Sequence, residues 1–538
     1  MKTSNCKRIL IIGLDGFVWK IGKMLIQDNH MPTLGRLIQD GCHGNLRSVL
    51  PYETSPAWSS FQTGCYPNKT GIFSFHTLDS RTKKIRLNSY CDIRVPTLWE
   101  ILSSHQKKTI CINMPMTSPP PEIKGIVVPG LLCPELSSNT VYPSEIFERY
   151  IRHRKDYQIV NNTYSENTTA FAQQSCRTEQ ARCEVALELM GQFEWDVFCF
   201  QMQSTDLMQH RYWWALDADA NGYNETNHQE ATVFYSACDD IIAKLIQKAG
   251  PDTTVIIISD HGFTKQRYSL AINRWLLDKG YLVLLEKEKS KWQQAKEEHP
   301  SLKYLAERYG RIKGLVDTLK NFFFHTKTVP HIDIELLHLR EFIDFEQSKA
   351  FCLGAMGGII YANPSIPGRG DFLNQLTDEL LKDFGPAARP ALIKTIKTCS
   401  AQYGDVKTSL PLPDLIIEYE EGISTVVNPL AAEVIQSYQD VDKQTGTHDR
   451  NGVFVAQGNN IKHGFSCDAW IVDVVPTVLA MLDIPIPKHM DGRVLREIFE
   501  TAPEISYTDL ELKDTQTIHY SDKEQSEVEK RLADLGYL

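Results

Sequence analysis

Three aspartates stand at the ends of short apolar runs, where their carboxylates could take part in chemistry. The runs are "ILIIGLDG", "DVFCFQMQSTD" and "TTVIIISDHG", and the aspartates are Asp15, Asp206 and Asp260. Runs of this length, rich in β-branched residues, predict strands that are buried on both faces of a mainly parallel sheet. In such sheets, ligands bind outside the carboxyl ends of the strands. The pattern therefore predicts that the three carboxylates meet at one edge of a sheet.

Three histidines accompany these aspartates. His210 follows Asp206 by four residues, which places both on one face if the segment is helical, and His261 is adjacent to Asp260. His448, in "GTHDRNGVF", stands just ahead of another apolar run. Three carboxylates and three neutral imidazoles suit two divalent ions, zinc above all and manganese as the alternative. Each Asp–His pair alone also fits an ordinary hydrogen-bonded pair, so the prediction depends on their joint occurrence at one edge.

The stretch "VLPYETSPAWSSFQTGCYP" offers two neighbouring hydroxyls, Thr54 and Ser55, before a helical pattern. Proline is favoured in the first turn of a helix, with Ser or Thr before it as a cap, so we expect a helix from Pro56 to a stop at Gly64. Its free N–H groups and positive dipole end favour a phosphate. A threonine hydroxyl becomes a nucleophile when a metal or a base removes its proton. We therefore predict Thr54 as the nucleophile and Ser55 as the cap.

Strand and helix patterns alternate along most of the chain. Further strands are predicted at "KKTICIN" and "GVFVAQG", and helices at "MPTLGRLIQDG", "VPTLWEILSSHQ" and "VVPTVLAMLDI". This alternation predicts an α/β fold in which a mostly parallel central sheet is flanked by helices and carries an inserted cap. The predicted units are a catalytic core over 1–274 with a loop-rich insert near 113–190, a cap over 275–440, the rest of the core over 441–500, and a C-terminal tail and helix over 501–538.

The cap and the C-terminal tail have patterns of their own. The cap is expected to contain a strand pair around "AFCLGAMGGIIYAN" and a helix at "RIKGLVDTLKNFFFH", residues 311–325, which packs inward. In the tail, "SEVEKRLADLGYL" places Val528, Leu532 and Leu535 on one helical face, so this helix is expected to dock on the body of the protein.

Composition narrows the class of protein. The 538 residues are 42% hydrophobic and 23% charged, which is ordinary for a globular chain, and the net charge of −10 argues against a nucleic-acid-binding surface. The 13 cysteines are scattered without any CxxC pair, as is typical of reduced thiols in a cytosol. No apolar run approaches the roughly 20 residues of a membrane span. We therefore expect a cytoplasmic protein without a transmembrane segment.

Taken in order, these motifs resemble the alkaline phosphatase superfamily. The motifs are "LDG", "TSPAWSSFQTGCYPNKTGIF", "DLMQHRYW", "SDHGF" and "GTHDRNGVFVAQG". Within the superfamily the chain is similar to type I phosphodiesterase/nucleotide pyrophosphatase-like proteins, especially the predicted phosphohydrolase/phosphomutase branch, over nearly its whole length. The resemblance implies that one metal is held by Asp206, His210 and His448. It implies that the other is held by Asp15, Asp260, His261 and the Thr54 oxygen.

The function implied by this resemblance is two-metal hydrolysis of phosphodiester or pyrophosphate bonds through a covalent phosphothreonine. The alternative within the superfamily is a phosphomonoesterase or a phosphomutase/phosphotransferase. A remote alternative is a non-catalytic binding protein stabilised by metal. The expected substrate is a small, anionic, phosphate-containing molecule, and the oligomeric state stays open.

A preference for diesters is expected from the shortage of cations beside the nucleophile. Monoesterases commonly hold a phosphate dianion with an arginine fork, but Lys69 is the only basic residue between Thr54 and Gly71. Trp58, one helical turn past Thr54, either lines an aromatic wall for the second ester group or packs in the core. Four further cations that folding could bring to the site are Arg47, Lys265, Arg267 and Arg450.

Overall fold

The computed structural model describes residues 8–78, 85–161, 168–219, 223, 225–285, 342–354, 356–408, 411–431, 433–438, 445–510 and 520–535. The cap helix predicted over 311–325 lies outside these described residues. The strands in chain order are β1 (Arg8–Leu14), β2 (Cys42–Arg47), β3 (His76–Leu78), β4 (Ile85–Leu87), β5 (Thr109–Met114), β6 (Gly125–Pro129), β7 (Val197–Met202), β8 (Thr253–Ile258), β9 (Gly262–Lys265), β10 (Tyr268–Leu270), β11 (Ala350–Leu353), β12 (Ile359–Ala362), β13 (Ile393–Thr398), β14 (Leu415–Tyr419), β15 (Ile423–Thr425), β16 (Ile435–Ser437), β17 (Gly446–Asp449), β18 (Asn451–Gln457), β19 (Phe465–Ser466), β20 (Ala469–Trp470), β21 (Ile486–Pro487) and β22 (Tyr507–Thr508).

The helices are interleaved with these strands, as the sequence pattern predicts. In chain order they are α1 (Trp19–Gln27), α2 (Pro32–Gln39), α3 (Thr54–Thr63), α4 (Pro67–Thr70), α5 (Leu98–Ser104), α6 (Ser144–Ile146, continued by a π-helical turn over Phe147–Ile151), α7 (Thr168–Gln192), α8 (Ser204–Leu216), α9 (Glu225–Ala249), α10 (Ile272–Asp278), α11 (Arg369–Phe384), α12 (Cys399–Tyr403), α13 (Val474–Met481) and α14 (Asp522–Leu535). Short 3-10 turns lie at Tyr90–Asp92, Ile471–Asp473 and Arg496–Ile498.

A nine-stranded sheet forms the centre of the molecule. Its order is β19-β2-β18-β8-β1-β7-β5-β6, with β20 also paired to β2. Among the described strands of this sheet, β18 alone runs antiparallel to its neighbours β2 and β8. The parallel pairing of β1 with β7 and β8 brings the carboxyl ends of three strands to one edge. The predicted α/β fold with a mostly parallel sheet is confirmed.

Both faces of the central sheet are buried by helices. Side chains alternate between the two faces along each strand, so neighbouring residues pack into different clusters. In β1, Leu10 and Ile12 pack into one apolar cluster with α1, α2, α7, α8 and α9. On the other face, Ile9 and Ile11 pack with α3, α5 and α13. The two layers of helices exclude water from the sheet, which is why its strands read as nearly continuous apolar runs.

The cap region has a separate four-stranded antiparallel sheet, in the order β11-β12-β14-β13. Its first two strands pair as predicted, with Phe351 opposite Tyr361. Helix α11 packs on this sheet in an apolar cluster of its own. Smaller sheets are β15-β10-β16, β17-β9, β21-β22 and β3-β4. The boundaries assigned to the units from the sequence stay a prediction.

The C-terminal helix α14 docks on the core as expected, with Val528, Leu532 and Leu535 buried in the same cluster as α7 and α9. Within the described part of the chain, no helix is both long and apolar enough to cross a bilayer. The cysteines that the structure describes are all free. The cytoplasmic location stays a prediction.

Candidate active site

The first group of predicted ligands forms where helix α8 meets strand β17. Asp206 and His210 lie four residues apart on α8, and His448 faces them from β17. His210 Nε2 is 3.5 Å from Asp206 Oδ2, and His448 Nε2 is 3.2 Å from Asp206 Oδ1. All three side chains are buried. Their ligand atoms are close enough together to hold one metal ion.

The second group lies at the carboxyl ends of β1 and β8. His261 Nε2 is 3.3 Å from Asp260 Oδ2 and 3.7 Å from Asp15 Oδ1. These three atoms are buried, and none has a hydrogen-bond partner in the described structure. Burial of an unpaired polar atom is costly, so three together at one point indicate a site built for a cation.

The two groups adjoin each other. The rings of His261 and His448 stack with centroids 3.7 Å apart. This stacking arises because β9, which follows His261, pairs antiparallel with β17, which carries His448. Each group thus contributes one histidine to the contact between the two groups. This arrangement suits a two-metal site, in which the ions stand about 3.5–4 Å apart.

The backbone fixes how the three histidines present their nitrogens, because each Nδ1 faces a carbonyl oxygen that can only accept. The contacts are His210 with Gly446 O (3.1 Å), His448 with Tyr52 O (3.0 Å) and His261 with Gly262 O (3.1 Å). Each neutral ring therefore carries its proton on Nδ1 and presents the Nε2 lone pair to the cluster. His210 Nε2 and His448 Nε2 stand only 3.0 Å apart. Two lone pairs at that separation repel each other, and a shared cation would relieve this repulsion, since two nitrogens on a tetrahedral zinc are about 3.3 Å apart.

The charges of the cluster also favour a bound cation. Burial, with the neighbouring Asp260 and Asp206 carboxylates, raises the pKa of Asp15 well above its usual range. Burial likewise raises the pKa of Asp260. Burial lowers the pKa of His210 to about 4, and burial together with His448 lowers the pKa of His261. The imidazoles of His210 and His261 are thus neutral, as metal ligands must be, while Asp15 and Asp260 lack a compensating positive charge.

The pKa of Asp206 moves in the opposite direction. Burial alone raises it, but the adjacent His210 and His448 more than offset this effect, so the net pKa lies below the usual range. Asp206 is therefore ionised and ready to bind a cation.

Hydrogen bonds to both groups bracket Thr54, the predicted nucleophile. On one side, Tyr52 O accepts a hydrogen bond from His448 Nδ1. On the other side, Trp58 Nε1 donates to Asp15 Oδ2 at 2.7 Å. The chain between these two anchors contains Thr54, whose Oγ1 is buried and has no hydrogen-bond partner among the described residues. The structure thus brings all six predicted ligands together, and the segment that contains Thr54 is hydrogen-bonded to both groups.

The prediction that Ser55 caps the helix is wrong. Helix α3 begins at Thr54, and its cap residue is Glu53, whose extended backbone (φ −124°, ψ 148°) carries no capping side-chain hydrogen bond. Glu53 O instead accepts the first helical bond, from Ala57 N at 3.0 Å. Ser55 therefore lies inside the first turn, where its buried Oγ has no partner in the described chain. The predicted stop at Gly64 is confirmed, because Gly64 adopts a left-handed conformation (φ 66°).

Trp58 packs in the core beside the predicted ligand Asp15. Its side chain is fully buried under α3, edge-on to Phe61. The reason is its hydrogen bond to Asp15, which is possible only with the indole turned inward. Gln201 Nε2 donates to the same Asp15 oxygen at 2.7 Å. We did not predict Gln201; its signal in the sequence is an amide inside an otherwise apolar strand.

The other candidate cations have contacts of their own. These are Lys69 Nζ with Asp491 Oδ1 (2.6 Å), Arg267 Nε with Glu421 O (2.9 Å), Arg450 Nη1 with Glu418 Oε1 (3.0 Å) and Arg47 over the Trp470 ring (4.7 Å). Lys265 lies in β9. None of the four measured contacts is with a ligand of the two metal groups.

A mostly parallel sheet with these groups at its carboxyl edge defines a phosphohydrolase of the alkaline phosphatase superfamily. The chain belongs to the type I phosphodiesterase/nucleotide pyrophosphatase family, which it matches over residues 9–328. It is therefore a hydrolase that acts on phosphoric ester bonds. The comparison with curated protein sequences finds no match.

Solved structures share the fold at low sequence identity. Human ectonucleotide pyrophosphatase/phosphodiesterase 5 is 14% identical with a TM-score of 0.53, over 92% of this chain and 100% of that one. An inactive variant of the murine counterpart, in complex with AMP, is 10% identical with a TM-score of 0.52, over 92% of this chain and 100% of that one. Phosphonoacetate hydrolase from Sinorhizobium meliloti 1021, in complex with phosphonoformate, is 13% identical with a TM-score of 0.53, over 87% and 94%. At these identities the likeness concerns the fold alone.

Proposed function

We propose that this protein cleaves phosphodiester or pyrophosphate bonds of small anionic substrates, with Thr54 as the nucleophile and two divalent ions, zinc in preference to manganese. The observation that carries the proposal is the bracketing of Thr54. The segment that contains it is hydrogen-bonded to His448 of one ligand group and to Asp15 of the other. Anchoring of this segment to both groups supports a role for the Thr54 hydroxyl in attack on phosphorus.

The residues present fit two ions. Asp206, His210 and His448 would hold one, and Asp15, Asp260, His261 and Thr54 Oγ1 would hold the other. When bound, the ions would lower the pKa of the Thr54 hydroxyl and offset the negative charge of the phosphate.

The chemistry assigned to the chain has two stages. Thr54 Oγ loses its proton and forms a bond to phosphorus, while the bond from phosphorus to the leaving oxygen breaks and that oxygen takes up a proton. Water then attacks the phosphothreonine, which releases the second product and restores the Thr54 hydroxyl. The start of α3 assists both stages, because the N–H groups of its first turn have no helical carbonyl to bind and carry the positive end of the helix dipole.

Diesters are the expected substrates because the contacts described for the candidate cations are with groups other than the predicted metal ligands. Lys69, Arg267 and Arg450 each contact a carboxylate or carbonyl elsewhere. A monoester dianion would lack an arginine fork, whereas a diester monoanion needs less positive charge.

The test compares kcat/KM for bis-p-nitrophenyl phosphate and p-nitrophenyl phosphate under the same metal conditions. We expect the diester to be preferred, with Thr54→Ala as the background control. A clear monoester preference would contradict the proposal and favour a phosphatase. Exchange of phosphate between organic hydroxyls without net release would favour a phosphomutase.

A further inference from the structure

A fully buried ion pair lies on helix α7, outside the active site. Arg182 Nη1 donates to both Glu179 oxygens at 2.9 Å, and both side chains are essentially inaccessible to water. The remaining Arg182 donors bind the carbonyls of Gln158 (from Nε, 2.9 Å) and Ile159 (from Nη2). A buried ion pair contributes little net stability compared with apolar residues of the same volume. Net stability alone therefore does not explain why the protein has this ion pair, and a second role is expected.

The carboxylate of this pair also holds the start of helix α8. Glu179 Oε1 accepts a hydrogen bond from Ser204 N at 3.0 Å, the first N–H of α8. Helix α8 has no side-chain cap from its own cap residue, Gln203. Glu179 thus supplies, from another helix, the negative charge and the acceptor that a helix N-terminus requires.

Two residues beyond Ser204, the same helix carries Asp206, and one turn later His210. Two further bonds tie α8 to the other ligand group: Thr205 Oγ1 donates to Asp15 O at 2.6 Å, and Gln209 Nε2 donates to Gly16 O at 2.8 Å. The position of the α8 start therefore sets where Asp206 and His210 stand relative to His448. We infer that Glu179 is a positioning residue for the metal group of Asp206, His210 and His448, and that Arg182 fixes its orientation. This inference rests on the proposed two-metal function.

The test uses two double variants that differ in one feature. Glu179→Leu with Arg182→Met removes both charges without leaving either one unpaired in the core, a change that often preserves stability. Glu179→Gln with Arg182→Met also removes both charges but keeps an oxygen that can accept from Ser204 N. Each metal-free protein is titrated with zinc against a competing chelator, so that the readout is metal affinity and not turnover.

We expect the leucine variant to lose about 10- to 100-fold in affinity for one of the two ions, as is usual when a residue supporting a metal ligand is lost, and to keep its affinity for the other. The glutamine variant should recover most of the loss. Wild-type affinity for both ions in the leucine variant, or equal losses in the two double variants, would overturn the inference.

A matched control is Asp239→Asn. Asp239 is a buried carboxylate that accepts from Thr33 N (2.8 Å) and Leu34 N (2.9 Å) at the start of α2, which carries none of the predicted ligands. Its substitution should lower thermal stability and leave both zinc affinities unchanged. An equal loss of zinc affinity in Asp239→Asn would mean that the Glu179 effect is only a loss of stability.

Two further results complete the design. If neither double variant folds, Arg182→Lys keeps the charge but loses the planar fork, and unchanged zinc affinity in this variant would contradict the inference. If the wild type itself binds no zinc, the proposed two-metal function fails. If the wild type binds two zinc ions and the leucine variant binds both with wild-type affinity, this inference alone fails.

Discussion

The Thr54 hydroxyl is buried and has no hydrogen-bond partner among the described residues. An unpaired buried hydroxyl costs about 1–3 kcal/mol, so the protein keeps Thr54 at the expense of stability. Such costs are typical of functional positions, where chemistry takes precedence over packing. The hydroxyl of the neighbouring Ser55 is also buried without a hydrogen-bond partner among the described residues, so the two hydroxyls can be compared.

Substitution of each hydroxyl should therefore have a different result. Thr54→Ala should lower kcat by about three powers of ten or more, because the covalent route disappears. Ser55→Ala removes a buried hydroxyl without a partner, so turnover should persist and the free energy of unfolding should rise, by up to about 1–3 kcal/mol. Kinetics and chemical denaturation of both variants check this. Loss of turnover in Ser55→Ala with retention in Thr54→Ala would reverse the assignment.

The aspartates give a prediction for pH. Because burial raises the pKa of Asp15 and Asp260, the folded metal-free protein holds protons at these sites that the unfolded chain has released. A folded pKa above the unfolded one means that stability falls as pH rises. Zinc displaces these protons, so the Tm difference between zinc-loaded and metal-free protein should widen over the interval above about pH 4, the usual pKa of a carboxyl group. A difference that shrinks over this interval, or zinc binding without proton release in calorimetry, would contradict the assignment of these ligands.

At the scale of elements, a contact from the cap region holds the segment that leads to Thr54. Tyr403, the last residue of α12, places its Oη 2.5 Å from Leu50 N and 2.6 Å from Leu50 O, so it accepts from the backbone N–H of Leu50 and donates to its carbonyl. Its ring also stacks on Tyr66, with centroids 5.1 Å apart. The cap thus helps to fix the backbone four residues before the nucleophile.

Tyr403→Phe should consequently affect both stability and rate. The lost hydroxyl leaves the Leu50 N–H and carbonyl unpaired, which should cost about 1–3 kcal/mol of unfolding free energy. A small displacement of Thr54 should lower kcat by up to about 100-fold while the bound metal content stays the same. Tyr66→Phe is the matched control, since it keeps the stacked ring and does not touch Leu50. A Tyr403→Phe variant with wild-type kcat would show that the cap does not position the nucleophile.

The elements differ in how far the sequence predicts them. The strands that precede Asp15 and Asp260 are clear because both faces of the sheet are buried, and the i,i+4 spacing of Asp206 and His210 anticipates α8. The predicted start of α3 at Pro56 is two residues late. Proline tolerates the third helical position, and the cap residue is Glu53. The short ribbon of β9 and β17 has no pattern that sets it apart from a loop, so the stacking of His261 on His448 was not predictable.

At the scale of the whole molecule, the ligand set and the sheet were predictable, whereas the residues that support the ligands were not. Among the predicted ligands, Asp15 and Asp260 follow apolar strands, and Asp206 and His210 have the spacing of neighbours on a helix. Glu179, Arg182 and Gln201 act through contacts between distant parts of the chain, and Glu179–Arg182 has the spacing of an ordinary surface pair on a helix. The sequence fits Trp58 equally well as a core residue or as part of an aromatic wall for the substrate. Its hydrogen bond to Asp15, which the sequence does not reveal, favours the core position.

The most direct test of the proposed two-metal mechanism is turnover of bis-p-nitrophenyl phosphate as a function of zinc bound per chain. Metal is removed by prolonged chelation, zinc is added back in steps, and elemental analysis follows each step. The account predicts no turnover in the metal-free protein and a maximum at two ions per chain, with Thr54→Ala inactive at every step. Full turnover in metal-free protein, or none with two ions bound, would contradict it.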